Sequence, residues 1–270
     1  MTEQGGAVEG RALTVETAIA NLEQTEDLGL RYYAAWWLGK FRVQDEAAVR
    51  ALVAALSDEA DRSPDGGYPL RRNAARALGK LGNLRAIEPL IAALGCSDHY
   101  VREAAAQALE LLGDRRSIEP LHQLLAGGVT AAVSVPGKPH LVQPYEAIIE
   151  ALGTLGATEA ISEIEPFLEH PVARVQLAAA RALYQLTENP LYGDRLVQGL
   201  QADKIPLRRS ALLDLSQSGY VAAAEPIANT QAENSMKLIA LKGLLEYQLA
   251  KEGALSNESR KIMELMDKLL

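Results

Sequence analysis

The sequence LRRNAARALGKLG at residues 70–82 is the clearest copy of a pattern that recurs along the chain. Related copies are VREAAAQALELLG from Val101, VQLAAARALYQL from Val175 and LRRSALLDLSQSG from Leu207, and a degenerate copy, PYEAIIEALGTLG, begins at Pro144. Neighbouring copies start about 31 residues apart, a short period for a two-helix unit of the HEAT type. The pattern therefore predicts an array of helical repeats.

A second pattern precedes these copies, as in AIEPLIAALGCSD at 86–98, SIEPLHQLLAGG at 117–128 and AISEIEPFLEHP at 160–171. Its apolar residues recur at spacings of three and four, and its proline falls near the first turn, which predicts the first helix of each unit. Gly82, Gly113 and Gly156 are expected to close the second helices. We predict an all-α, right-handed, crescent-shaped solenoid of about six to seven HEAT-like repeats, in one domain over residues 1–270.

Two stretches rich in glycine and proline interrupt the period, SDEADRSPDGGYP at 57–69 and GGVTAAVSVPGKPHLVQP at 127–144. Both fall between the first and second helix of a unit, so they are predicted to be loops that project from the same edge of the stack and line a binding face. The segment 256–270 predicts a final amphipathic helix with Ser256 as its N-cap.

Composition excludes several classes of protein. The net charge of −8 argues against binding to nucleic acid, whose phosphates require a basic surface. No apolar run approaches the roughly 20 residues of a membrane span, and the polar residues 1–16 lack the pattern of a signal peptide. Cys96 is the single cysteine, and no histidine pair has metal-ligand spacing. We expect a soluble, cytoplasmic protein without a metal site.

The first copy, RYYAAWWLGKF at 31–41, contains both tryptophans of the chain. When each copy is numbered from its first apolar residue, positions 1, 5, 6 and 9 are apolar in the well-preserved copies and are predicted to form the interior. In the first copy these positions hold Leu30, Ala34, Ala35 and Leu38.

The four rings of the first copy occupy other positions. Tyr32, Tyr33, Trp36 and Trp37 stand at positions 3, 4, 7 and 8, where later copies carry polar or small residues. Because these positions form i, i+4 pairs, the rings are predicted to share one helical face, and an aromatic face of that size is usually a binding surface. In the alternative, which applies most to Tyr33 and Trp37, the rings only cap the stack by packing on the first helix or on the loop at 57–69.

Together, the units quoted above and RYYAAWWLGKF make the whole chain resemble the E-type (CpcE/PecE-type) subunits of the heterodimeric HEAT-like repeat bilin lyases of cyanobacteria. The resemblance implies a partner subunit of the F type and attachment of phycocyanobilin, a linear tetrapyrrole, to a cysteine of the phycocyanin alpha subunit through a thioether. It implies the bilin as substrate, no permanently bound cofactor and association with phycobilisomes. Two alternatives remain, a HEAT scaffold or bilin chaperone without enzymatic activity, and a related lyase or isomerase acting on another phycobiliprotein.

This resemblance implies roles for the polar residues at repeat positions 3 and 7. Arg72 and Arg76, beside Tyr32 and Trp36, suit the propionates of a bilin, and Gln107 continues the same groove. Candidates for proton transfer are Glu103, Glu146, Glu150 and, in the long loop, His140. For all of these the alternative is an ordinary solvated helix face.

Two further features are expected to be structural. Arg31, Arg71, Arg102 and Arg208 recur at position 2, often after an acid (Asp27, Asp98, Asp203), which favours a ladder between repeats. Cys96 could hold a bilin transiently by its thiolate, but its position at the end of a helix favours a packing role for a small side chain.

Overall fold

The computed structural model describes residues 13–270, and the polar segment 1–12 lies outside them. The described residues form seven helix pairs and a final helix. The pairs are α1 (Val15–Glu23) with α2 (Leu28–Lys40), α3 (Glu46–Ala55) with α4 (Pro69–Leu81), α5 (Ile87–Ala93) with α6 (His99–Leu112), α7 (Ile118–Gln123), followed by the short α8 (Gly128–Ala131), with α9 (Tyr145–Thr154), α10 (Ile161–Ile164) with α11 (Ala173–Thr187), α12 (Pro190–Gly199) with α13 (Ile205–Ser218), and α14 (Ala224–Asn229) with α15 (Asn234–Glu252). The final helix is α16 (Asn257–Asp267), and Ser256 caps it as predicted.

The second helices α2, α4, α6, α9, α11, α13 and α15 pack against one another in chain order, which makes the fold an α-solenoid. No β-strand occurs among residues 13–270, where the one isolated bridge joins Ser134 and Leu141. The predicted interior positions are confirmed in α4, where Leu70, Ala74 and Leu78 are fully buried. Burial of one such leucine side chain contributes about 2 kcal/mol of hydrophobic free energy.

The prediction for position 1 is wrong in the first unit. Leu30 is 44% exposed, although its counterparts Leu70 and Val101 are fully buried. An interior second helix has neighbours on both sides, whereas α2 packs against only one other second helix, α4, in the described part of the chain. The first turn of α2 therefore has no second apolar surface to cover it.

Position 8 was not predicted as interior, but it lies at the contact between consecutive second helices. A Cβ atom on Gly79 would stand 2.7 Å from the Cα of Ala108, so the two backbones approach too closely for any side chain on the glycine. The same glycine–alanine contact recurs as Gly39 on Ala77 and Gly153 on Ala182. Alanine at position 8 thus sets the spacing of the stack.

The position-2 arginines form the predicted ladder, but not with the expected acids. The Arg102 guanidinium donates to the carbonyl oxygens of Cys96 (2.7 Å) and Val142 (2.7 Å), and that of Arg208 donates to Ala202 (2.7 Å). Asp98 instead accepts from the backbone N–H of Tyr100 as the N-cap of α6. The arginines therefore bind carbonyl oxygens of neighbouring segments, while Asp27 and Asp98 cap helices. Arg31 and Arg71 likewise donate to the carbonyls of Leu22 and Asp58.

Both interrupting stretches are loops, as predicted. The first lies between α3 and α4, and its last residue, Pro69, already begins α4. The second contains α8 and a small hairpin in which the backbone N–H of Val135 donates to His140 and that of Val142 donates to Val133 (both 3.0 Å). Every helix in the described part of the chain is too short or too polar to span a bilayer.

Candidate functional site

Three aromatic rings of α2 are exposed, as predicted. Tyr32 is 37%, Tyr33 48% and Trp36 41% accessible to solvent. The rings of Tyr33 and Trp36 stack with centroids 5.4 Å apart, which leaves their outer faces open. We call these three side chains the ring surface.

Trp37 does not belong to the ring surface. Its indole is partly buried against the hydrophobic core and lies 5.0 Å from the ring of Phe41. In later second helices the alanine at position 8 contacts the glycine of the preceding second helix, but α2 has no preceding second helix in the described part of the chain, so a large residue fits there. Trp37 is therefore partly covered by the core, whereas Tyr33 is exposed.

The two arginines predicted beside the rings are directed to different places. Arg76 is exposed, while Arg72 is half-buried and its guanidinium lies 5.8 Å from the ring centroid of Tyr100 on α6. Arg72 and Arg76 therefore do not form the predicted pair of propionate ligands. Arg72 faces a cavity between the inserted loops.

This cavity, which we call the loop groove, has a volume of about 790 Å³ and lies between the loops at 57–69 and 127–144. The first loop is fixed by the backbone N–H of Tyr68, which donates to Asp98 (2.7 Å), and the second by Arg102 through Val142. The side chains that give the groove its chemistry are Arg72, Arg102, Lys138, His99, His140 and Tyr100. Sequence analysis had singled out only Arg72 and His140 as binding or catalytic candidates, and it missed Tyr100 and His99.

A stack of rings forms one wall of the loop groove. The imidazoles of His99 and His140 lie parallel with centroids 4.1 Å apart, and Tyr100 meets His140 edge-on at 5.7 Å. Burial, followed by the nearby charges of His140 and Arg102, lowers the pKa of His99 to about 4. His99 is therefore neutral near pH 7, and its buried Nδ1 has no hydrogen-bond partner among the described residues.

Beyond the ring stack is a smaller cavity of about 250 Å³, which places two predicted carboxylates together. Glu103 and Glu146 line it with Arg174, whose guanidinium lies 2.7 Å from Glu146. Burial raises the pKa of the Glu146 carboxyl, which makes this group a better proton donor near neutral pH than an ordinary glutamate.

Glu150 is not part of this cavity but of a buried ion cluster, which sequence analysis did not predict. Arg181 on α11 is almost fully buried and pairs with Glu110 on α6, with Glu150 at 3.5 Å and with Asp214 on α13 at 3.9 Å. Burial and the neighbouring Asp214 raise the pKa of Glu150 to about 8, and burial raises that of Asp214 to about 6. One buried guanidinium faces three carboxyl groups, so burial and mutual repulsion favour the protonated form of Glu150.

The remaining candidates show no functional arrangement. Gln107 is half-buried on α6, and Cys96 is half-buried at the carbonyl end of α5. Within residues 13–270, no three histidine, cysteine, aspartate or glutamate side chains are grouped to hold a metal ion.

Two protein-family models match parts of this chain. The family model described as PBS lyase HEAT-like repeat matches residues 30–58, and the model described as HEAT repeats matches 62–133 and 144–216. The first of these ranges contains the ring surface.

Relatives match over nearly the whole chain. The phycocyanobilin lyase subunit alpha of a Picosynechococcus species is 64% identical over 96% of this chain and 97% of its own, and that of Nostoc sp. PCC 7120 is 62% identical over 99% and 98%. The bilin biosynthesis protein PecE of Mastigocladus laminosus is 50% identical over 88% and 83%.

A solved structure agrees. In the complex of CpcE and CpcF of phycocyanin lyase from Nostoc sp. PCC7120, one chain superposes with a TM-score of 0.90 at 61% identity, covering all of both chains. The chain therefore belongs to the family of phycocyanobilin lyase alpha subunits.

Proposed function

We propose that this chain is the E-type subunit of a heterodimeric bilin lyase. With an F-type partner subunit it attaches phycocyanobilin through a thioether bond to a cysteine of the phycocyanin alpha subunit. The observation that carries this proposal is the end-to-end match to one chain of the CpcE–CpcF complex of a phycocyanin lyase. We place the reaction in the cytoplasm, with the phycobiliprotein acceptor.

The reaction is an addition of a thiol to a double bond. The acceptor sulfur bonds to one carbon of the bilin, the double bond opens, and the thiol proton is replaced by a proton delivered to the neighbouring carbon. Because nothing is oxidised or reduced overall, the bilin is a substrate and no permanently bound cofactor is required. The protein contributes mainly by holding the bilin in position against the thiol. We assign the proton exchange to Glu103 and Glu146, on the support that both carboxyl groups line one cavity.

We assign the ring surface of α2 to contact with the bilin or with the F-type subunit. Its support is the exposure of Tyr32, Tyr33 and Trp36 on a helix whose counterparts α4, α6 and α9 carry polar or small residues at these positions. An aromatic ring offers about 150–250 Å² of contact area, so three half-exposed rings form a patch of the size that commonly binds a partner.

Reconstitution tests the proposed function. The purified chain, alone and with its F-type partner, is mixed with phycocyanobilin and the apo alpha subunit of phycocyanin. We expect a covalent, fluorescent product that survives denaturation only when both subunits are present. Non-covalent bilin binding without a covalent product would favour the chaperone function instead and contradict the lyase.

A further inference from the structure

The loop groove carries an excess of positive charge, because Arg72, Arg102 and Lys138 line it with only two carboxylates. Arg72 and Lys138 have no ion-pair partner in the described part of the chain, and the Arg102 guanidinium is bound by carbonyl and amide oxygens instead of a carboxylate. Two aspartates also line the groove: Asp98 accepts from the backbone N–H groups of Tyr68 and Tyr100, and Asp65 accepts from the Ser63 hydroxyl. They offset part of the positive charge, since Asp98 lies near Arg102 and Asp65 near Lys138, so three cations face two carboxylates. The groove is therefore suited to anionic groups.

The wall of the groove is suited to a flat conjugated molecule. Tyr100 and the stacked imidazoles of His99 and His140 present rings within 6 Å of one another, and Arg72 lies close to the face of Tyr100. The unpartnered Nδ1 of His99 adds a buried polar atom beside this wall. A volume of about 790 Å³ falls in the range of sites for small organic ligands.

We infer that the loop groove binds the propionate carboxylates of the linear tetrapyrrole, with Arg72 from the helical stack and Lys138 from the long loop as their ligands. This inference rests on the proposed function and adds the place and orientation of the substrate. The two inserted loops are thus the walls of the chromophore site, and each supplies side chains that the regular repeat does not contain.

The surroundings of the groove fix the orientation of the pigment. A bilin carries its carboxylates along one edge and its pyrrole N–H donors along the other. The smaller cavity on the far side of the ring stack offers Glu103, an acceptor without a hydrogen-bond partner among residues 13–270. Tyr32 holds the same repeat position on α2 as Arg72 on α4, and packed helices lie about 8–10 Å apart, so a pigment anchored at Arg72 also reaches the ring surface.

The test compares two ligands and two variants. Phycocyanobilin and its dimethyl ester, in which both propionates are uncharged, are titrated by absorbance into the complex of the chain with its F-type partner. The groove variant is Arg72→Gln with Lys138→Gln. The control variant, Arg50→Gln with Lys80→Gln, changes the net charge equally at exposed positions on α3 and at the end of α4.

We expect the groove variant to raise the Kd for phycocyanobilin roughly tenfold, about 1.4 kcal/mol for two partly exposed charge pairs, with no change in the control variant. The dimethyl ester should bind the wild-type complex about tenfold more weakly than the acid, with no further loss in the groove variant. The comparison of acid with ester on the wild-type complex needs no mutation, so it holds even if the groove variant folds poorly.

Equal affinity for acid and ester, or equal loss in both variants, would overturn the inference. Loss of association with the F-type subunit in the groove variant, with bilin affinity preserved, would assign the groove to an acidic segment of the partner and also overturn it. If the wild-type complex binds the acid selectively but transfers no bilin to the apo alpha subunit, the proposed function fails while the groove assignment stands.

Discussion

Trp36 and Arg181 occupy the same position of the repeat, position 7, but their side chains have opposite environments. On α2 the indole of Trp36 lies open to solvent, whereas on α11 the guanidinium of Arg181 is buried among carboxyl groups from α6, α9 and α13. A repeat position is therefore not intrinsically interior or exterior. Its environment depends on how many neighbouring helices cover it and what they carry there.

Because of this difference, we expect the buried ion cluster to contribute to stability and the ring surface to binding. The buried ion cluster joins four second helices, so changes there should alter unfolding. The rings of the ring surface are exposed, so changes there should alter recognition.

The largest effect is expected from removal of the buried cation. Arg181→Met leaves Glu110, Glu150 and Asp214 without their shared partner, and loss of one member of a buried ion pair typically costs about 3–5 kcal/mol. Arg174→Met is the matched control, because its pair with Glu146 is exposed on the arginine side and should contribute less than about 1 kcal/mol. Urea unfolding measures both, and equal losses would show that the cluster does not stabilise the stack.

A smaller effect is expected from pH. Glu150 has a pKa of about 8 in the folded chain, well above the 4.5 of a free glutamate. Between these values the unfolded chain loses the proton that the folded chain keeps, so the free energy of unfolding falls as pH rises from 4.5 to 8. Glu150→Gln should flatten this part of the profile. Urea midpoints at pH 6 and pH 8.5 measure it, and the same slope in wild type and variant would assign the pH dependence to other groups.

The regular part of the fold could be predicted because its cause is local. Apolar residues at positions 1, 5, 6 and 9 of a helical period define an interior whichever repeat they occupy, and Gly82 and Gly113 end their helices by adopting the left-handed conformation themselves. The prediction that Leu30 lies in the interior was wrong, because the number of neighbouring helices, and not the residue type, decides its burial.

The site was predictable only in part, for a related reason. The ring surface was visible as a departure of Tyr32, Tyr33 and Trp36 from the repeat columns. The ring stack joins His99 to His140 across the inserted loop, and the ion cluster joins Glu110 to Arg181. Such pairs occupy different repeat positions in different helices, so only the packed structure brings them together. Position 7 is also polar in several other copies, so the sequence gave no sign that Arg181 is buried.

The most direct test of the central claim, that the ring surface serves recognition and not folding, is a paired measurement of transfer and stability. In Tyr32→Ala with Trp36→Ala, we expect the rate of bilin transfer to the apo alpha subunit, with the F-type partner present, to fall about tenfold, because exposed aromatic side chains often dominate recognition. The free energy of unfolding should change by less than about 1 kcal/mol. Trp37→Ala, which removes a ring packed against the core, should instead lower stability by about 2 kcal/mol or more. An unchanged transfer rate in the double variant, or a loss of stability equal to that of Trp37→Ala, would contradict the account.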